Sequence, residues 1–346
     1  MFYPGENLQA LMIFVPGTSR VNQGMKKYFV IFVLLSISHQ CSSWGFFAHR
    51  KINYYAVFLL PPEMLVLYKP HILFLSEHAV DPDKRRYLVA QEAPRHFIDI
   101  DKYGKFPFKE LPRKWDSAIA RFGQDSVISN GIVPWWILIM VQRLTRAFRE
   151  KNAPAILKLS AEIGHYISDA HVPLHACSNH NGQFTNQKGI HAFWESRIPE
   201  LLADRSFNFF IGKAAYIKDP AKYIWERVLE SGAAADTVLL FEKDLARQFP
   251  TDQKFGFEPR NESTIRQYSF QYSLAYNNKL NGMIERRMRQ SVYSTASLWY
   301  TAWVNAGQPD LKKLSGKEFS NEQASEFEQL NLHWKNEALK GRSCEE

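Results

Sequence analysis

Three cysteines among 346 residues are too few for a disulfide scaffold. No apolar run near the N-terminus is long enough to cross a bilayer, which takes about 20 residues as a helix; the run Tyr28–Ile37 falls well short. The chain has no sustained period-two alternation, so strands should be minor. It also has no internal repeat and no low-complexity segment. Neither sign of charge dominates. The 43 basic and 35 acidic residues leave a net charge of +8, an excess that suits an anionic substrate and equally suits plain solubility. With 45% hydrophobic and 23% charged residues, the composition is globular, which excludes a disordered chain.

What the sequence does contain is helical periodicity broken by proline and glycine. Ala48–Leu60 repeats its apolar residues at helical spacing and stops at Pro61-Pro62. Pro62–His78 continues the pattern with a bend near Pro70. Pro134 and Pro154 each suit a first helical position, opening helices to Phe148 and to about His171, and Pro173 ends the second. Ile190–Leu202, Ala221–Gln248 and Thr264–Ala306 are periodic as well, Glu318–Ala338 reads as a peripheral helix in a charged tail, and Phe249–Ser263 reads as a long loop. The expectation is an all-α fold, a single mostly helical domain over residues 44–346. Residues 44–202 carry the candidate chemistry and 203–346 supply supporting helices.

Residues 1–43 read differently. Met25-Lys26-Lys27, the apolar run and Cys41-Ser42-Ser43 have the charge, core and small-residue end of a secretory signal peptide, with residues 1–24 as an extension from an early start. Cleavage after Ser43 would place Trp44 first in an exported, periplasmic or secreted protein. Lipid modification at Cys41 is the rival reading, and Ser38-His39-Gln40 fits it poorly.

The informative segment is Gly164-His165-Tyr166-Ile167-Ser168-Asp169-Ala170-His171-Val172-Pro173-Leu174-His175. His165 and Asp169 stand four apart, on one face of a helix, where they can clasp one cation. Pro173 turns the chain, which frees His175 to reach a second ion. His191 and Glu195 repeat the four-residue spacing sixteen residues later. One such pair is usually a surface hydrogen bond. Two flanking a Pro-Leu-His are a candidate metal centre, and imidazole with carboxylate suits a hydrolytic zinc site with open positions.

These residues, with Trp44 and His49 in Trp-Gly-Phe-Phe-Ala-His, Asp81 in His-Ala-Val-Asp-Pro-Asp-Lys and His96 in Arg-His-Phe-Ile-Asp, make the chain resemble the superfamily of bacterial zinc-dependent phospholipase C and the single-strand-specific zinc nucleases. The resemblance covers Trp44 to about Leu202. It implies three zinc ions in a cleft between helices. Asp81, His96, His165 and Asp169 would hold the first, and His175, His191 and Glu195 the second. The amine and carbonyl of Trp44, with His49 and the other oxygen of Asp169, would hold the third. A free α-amine, of pKa about 7.7–8.0, gives up its proton to a metal readily.

The implied activity is hydrolysis of phosphate esters by metal-activated water. Asp99 would orient the water, Lys84 would meet the phosphate and Phe97 would stack on a base. Each has a plainer reading: Asp99 as a turn or capping residue, Lys84 as part of a solvated Lys-Arg-Arg face, and Phe97 as core. His171 reads as structural, His180 as an ordinary loop residue between ligands with pocket lining as its lesser reading, and Trp135 and Trp136 as core. Cys177 reads as a free thiol or a tie to Cys344. Single-stranded nucleic acid or nucleotides are the favoured substrates, with no obligate protein partner. Phospholipid is the alternative, because Glu195 and the short stretch between His175 and His191 match the phospholipases. A non-catalytic metal-binding helical protein is the reading from another class. A di-iron helical protein would need a second Glu-x-x-His pair beside Glu162 and His165, and none is seen.

Overall fold

The computed structural model describes residues 45–260, 263–314 and 319–342. The expectations for residues 1–43, Trp44 and Cys344 therefore lie outside the described residues, while the described ones belong to a compact unit spanning Cys41–Glu346. The molecule is mostly helical, with 3% strand confined to one small two-stranded sheet, so the helical expectation holds with that exception.

The helices that position the site are α1 (Gly45–Val57), α2 (Pro62–Tyr68), α3 (Ile72–Glu77), α4 (Asp81–Arg85), α5 (Val133–Arg149) and α6 (Ala153–Asp169). They are followed by α7 (Ile198–Ser206), α8 (Pro220–Gln248), α9 (Phe270–Lys279), α10 (Met283–Asn305) and α11 (Asn321–Asn336). Pro134 and Pro154 each sit in the first turn of their helix, where the missing N–H costs nothing. Asn152 caps α6 by accepting from the Ala155 N–H, and Ser320 closes a capping box with Gln323 at the start of α11.

Two expected helices are divided. Lys69-Pro70 separates α2 from α3. The predicted Thr264–Ala306 helix is instead strand β2 (Ser263–Tyr268), α9 and α10. β2 pairs antiparallel with β1 (Phe255–Arg260), Phe255 facing Tyr268 and Glu258 facing Ile265. Threonine, isoleucine and tyrosine favour a pleated strand over the start of a helix, and the chain breaks again at Asn281 and Gly282, both at positive φ.

α6 is the central helix and packs against α1, α5 and α10. The last five residues of α6, His165 to Asp169, are wholly buried. α10 approaches closely because its inner face is lined with small residues, among them Ser291, Ser294, Thr295 and Ser297, all without exposed surface. Its Trp299 indole N–H donates to the Ser160 carbonyl, and the Tyr68 and Ser160 hydroxyls meet at 2.7 Å. α1 locks onto α6 through Asn53, whose amide donates to the carbonyls of Leu75 and Ala161. Gly164 permits this contact, since a Cβ there would lie 1.9 Å from Asn53 Oδ1. Gly164→Ala should therefore destabilise the fold by about 1–3 kcal/mol through overpacking. A lower melting temperature with retained helical circular dichroism is the expected result, and an unchanged midpoint would show that the two helices do not meet there.

Candidate metal centre

α6 delivers His165 and Asp169 from one face into the protein interior, as their spacing predicts. The chain then turns at Pro173 into a short 3-10 segment, Pro173–Ala176, which carries His175. His191 lies on a single helical turn, Ile190–Ala192, and Glu195 on the π-helical turn Phe193–Arg197 that follows it. A π-turn adds a residue to the local repeat and commonly marks a functional position. His96 comes at the end of the 3-10 segment Ala90–Arg95, and His49 from the buried face of α1.

The Asp169 carboxylate has no exposed surface and meets four imidazoles. Its Oδ2 lies 3.0 Å from His96 Nδ1 and 3.3 Å from His165 Nε2. Its Oδ1 lies 3.5 Å from His49 Nε2 and 4.0 Å from His175 Nε2, and accepts no hydrogen bond among the described residues. Asp83 closes the first group, with Oδ1 3.6 Å from His165 Nε2 and 3.7 Å from His96 Nδ1. In the second group His175 Nε2 and His191 Nε2 are 3.1 Å apart, and Glu195 Oε2 lies 3.2 Å from the one and 3.1 Å from the other.

Backbone carbonyls fix how these rings present themselves. His165 Nδ1 donates to Ala79 O at 2.9 Å, His175 Nδ1 to His96 O at 2.6 Å and His191 Nδ1 to His180 O at 3.1 Å. A carbonyl only accepts, so each Nδ1 carries the hydrogen and, in the neutral ring, Nε2 carries a lone pair. In the second group two such lone pairs and a carboxylate oxygen converge. They repel unless a cation lies between them. A tetrahedral zinc with bonds of about 2.0–2.2 Å holds its ligand atoms roughly 3.3–3.5 Å apart, close to the spacings seen here. Orientation of a ligating imidazole by its other nitrogen is the usual supporting arrangement of metal sites. The residues present therefore fit metal ions, and three groups of buried His, Asp and Glu, two of them sharing His165, have the spacing to hold an ion: His49 with Asp83 and His165, His96 with His165 and Asp169, and His175 with His191 and Glu195.

Burial and neighbouring charges act against one another within the cluster. Burial alone would raise the Asp169 pKa, but His165, His175 and His96 hold it well below the ordinary carboxylate value. Burial pushes Asp83 up despite the nearby histidines. His165 is raised by Asp169 and Asp83 against the effect of burial, whereas burial and the neighbouring His165 drive His49 down.

The sequence-derived residues separate into two sets. His49, His96, His165, Asp169, His175, His191 and Glu195 come together. Asp81 does not join them: its carboxylate takes His78 Nδ1 at 2.6 Å and Lys84 Nζ at 2.9 Å, and Asp83 stands in the cluster in its place. Lys84 is thereby buried against Asp81 and not on a solvated face. Phe97 and Asp99 lie beside the cluster, and both are held by Arg342, whose guanidinium lies 4.0 Å above the Phe97 ring and donates to both Asp99 oxygens at 2.7 and 2.9 Å. Burial pushes the Asp99 pKa up, with Arg342 acting against it. His171 is a core residue as expected, donating from Nδ1 to Ile167 O, with Nε2 3.1 Å from the Ser294 hydroxyl. Cys177 is a buried free thiol whose pKa burial pushes far up.

Asp83, Glu92 and Arg342 were not singled out in the sequence. Asp83 had a signal, being the second carboxylate of Asp-Pro-Asp. Glu92 is wholly buried 3.7 Å from His96 Nε2. Burial would raise its pKa, yet His96, Arg85 and Arg95 hold it at about 2. It thus supports His96 as an anionic neighbour.

No known family matches the chain, and no curated protein matches it either.

Asp83→Asn should weaken zinc binding to the first group by about 100-fold or more, at or above the upper end of what even ligand-supporting residues contribute. Asp81→Asn should leave it within a small factor of the unaltered protein. Titration against a fluorescent zinc chelator separates the two, and a larger loss in Asp81→Asn would remove Asp83 from the ligand set.

Proposed function

We propose that this chain is a zinc-dependent hydrolase of phosphate esters. The observation that carries the reading is Asp169, whose two oxygens face two different sets of imidazoles. A carboxylate so placed can join adjacent metal positions, the arrangement used to grip both the attacking and the leaving oxygen of a phosphoryl group. The motif resemblance set out above agrees with it.

Bound zinc ions would supply polarisation of water and compensation of phosphate charge. The chain's own residues do the rest. Asp83, His96, His165 and Asp169 would hold one ion, and His175, His191 and Glu195 a second. A third would sit between His49 and Asp169 Oδ1, completed by the α-amine of Trp44 in a chain exported and cleaved after Ser43. The carbonyls of Ala79, His96 and His180 lock the imidazoles in the ligating tautomer, so little reorganisation accompanies the reaction. Asp99, at the edge of the site with a raised pKa, is the chain's candidate for accepting a proton from water.

Single-stranded nucleic acid or a nucleotide is the favoured substrate, because Phe97 stands next to a ligand and base stacking is worth about 1–3 kcal/mol. Phosphate affinity would not come from Lys84, which is engaged with Asp81. A phospholipid substrate is the second reading, favoured by Glu195 and the short stretch from His175 to His191.

The test is hydrolysis of single-stranded DNA and of phosphatidylcholine vesicles at equal enzyme concentration, with Asp169→Asn in parallel. Nucleic acid should be cleaved faster, and the variant should lose activity by about 100-fold or more. Full activity in Asp169→Asn would contradict the reading, faster lipid turnover would replace the nuclease by a phospholipase, and zinc binding without hydrolysis of either would leave a metal-binding protein.

A further inference from the structure

Beyond α11 the chain folds back over the metal centre. The Lys340 N–H donates to Arg86 O at 2.9 Å, and its ammonium donates to Leu88 O at 3.0 Å. Gly341, at φ +95°, lies so close to Ala93 that an added Cβ would approach the Ala93 Cβ to 2.7 Å. The Arg86 guanidinium in turn donates to the Arg342 carbonyl. The Arg342 side chain then reaches over the site. Besides covering Phe97 and clasping Asp99, it places Nη2 3.4 Å from Cys177 O and Nε 3.4 Å from His180 Nε2.

The space left beneath it is small. The cavity bounded by His96, Phe97, His175, His191 and Arg342 measures about 10 Å³. A single water needs on the order of 10–15 Å³, so the space under Arg342 is about that of one water and far short of a phosphate group with its five heavy atoms. The clasp also covers the face of Phe97 on which a base would stack, and both oxygens of Asp99. Most of the Arg342 donors are spent on Asp99, Cys177 and His180, which leaves little of the guanidinium to bind a substrate. The attachment is slight by comparison with the rest of the fold. Lys340 and Gly341 are exposed, and among the described residues the segment is held by the hydrogen bonds and the ring contact named above together with an ion pair from Lys340 to Glu337.

We propose that Lys340–Arg342 is an autoinhibitory strap that closes the metal centre, and that it has to lift before a phosphate ester can bind. The inference rests on the metal-dependent hydrolase reading for its activity arm, while its structural arm concerns access to the cluster and is read without any substrate. Arg342 acts as a latch: its guanidinium satisfies Asp99 and the Phe97 face in the closed state, and lifting releases both to the substrate. A closed state that dominates reduces apparent affinity by the fraction of molecules that are open.

The experiment compares the full zinc-loaded chain, a chain ending at Ala338 and the single variant Arg342→Ala, which keeps the whole segment. Two quantities are measured on each: the rate at which a chromophoric chelator strips the zinc, and kcat/KM on a generic phosphodiester. Both altered proteins should lose zinc faster and gain kcat/KM by about tenfold or more, mainly through a lower KM, as expected if roughly a tenth or less of the chain is open. Unchanged stripping in both overturns the strap. A fall in kcat/KM overturns it as well, and marks Arg342 as a substrate-binding residue. Faster stripping with no hydrolysis by any of the three proteins leaves the strap standing and removes the hydrolase reading instead.

Discussion

A carboxylate without exposed surface is among the more expensive groups a protein can bury, costing several kcal/mol unless it is compensated. Asp169 is faced by imidazoles drawn from four separate parts of the chain: α1, the 3-10 segment before His96, the same turn of α6, and the turn after Pro173. Much of the surrounding structure follows from that requirement. α1 must lie against α6, which Gly164 and Asn53 allow. His96 must come within reach across the fold, and the peptide it sits on then serves a second purpose, because its carbonyl orients His175. The link between the two ligand groups thus runs through backbone as well as through Asp169.

The parts of this arrangement that repeat within a helical turn were legible in the sequence. His165 with Asp169, and His191 with Glu195, follow from spacing and helical geometry, and Pro173 signals that His175 departs from the helix. The choice between Asp81 and Asp83 was not legible. On a helix two residues differ in direction by about 200°, so one carboxylate of Asp-Pro-Asp faces the cluster and the other turns away, and distance along the chain to His96 does not say which. His78 decides it by taking Asp81. The hairpin was missed because Thr264–Tyr268 adjoins a periodic helical stretch, and pairing with Phe255–Arg260 is a tertiary matter. Arg342 carried no local signal, since its partners Phe97 and Asp99 are more than 240 residues away in sequence. The carbonyls that set the histidine tautomers belong to backbone atoms, which no residue pattern encodes.

The edge of the site joins specificity to access. Phe97 and Asp99 are the residues that would meet a base and a water, and they are the ones Arg342 holds. Arg86 supports the strap from below by accepting the Lys340 N–H at its carbonyl and donating from its guanidinium to Arg342. The proposed strap is a short segment lying across the surface, and its contacts are with Arg86, Leu88, Phe97, Asp99, Cys177 and His180 and not with Asp169 itself.

The central claim is that the buried carboxylates and imidazoles exist to hold metal. Anomalous diffraction from crystals of the native protein, collected on both sides of the zinc absorption edge, tests it most directly. The account places one peak among Asp83, His96, His165 and Asp169 and another among His175, His191 and Glu195, each present above the edge and absent below it. Crystals from zinc-containing solution with no peak at either position would contradict it, and the cluster would then be a network of protonated histidines and carboxylates serving only the fold.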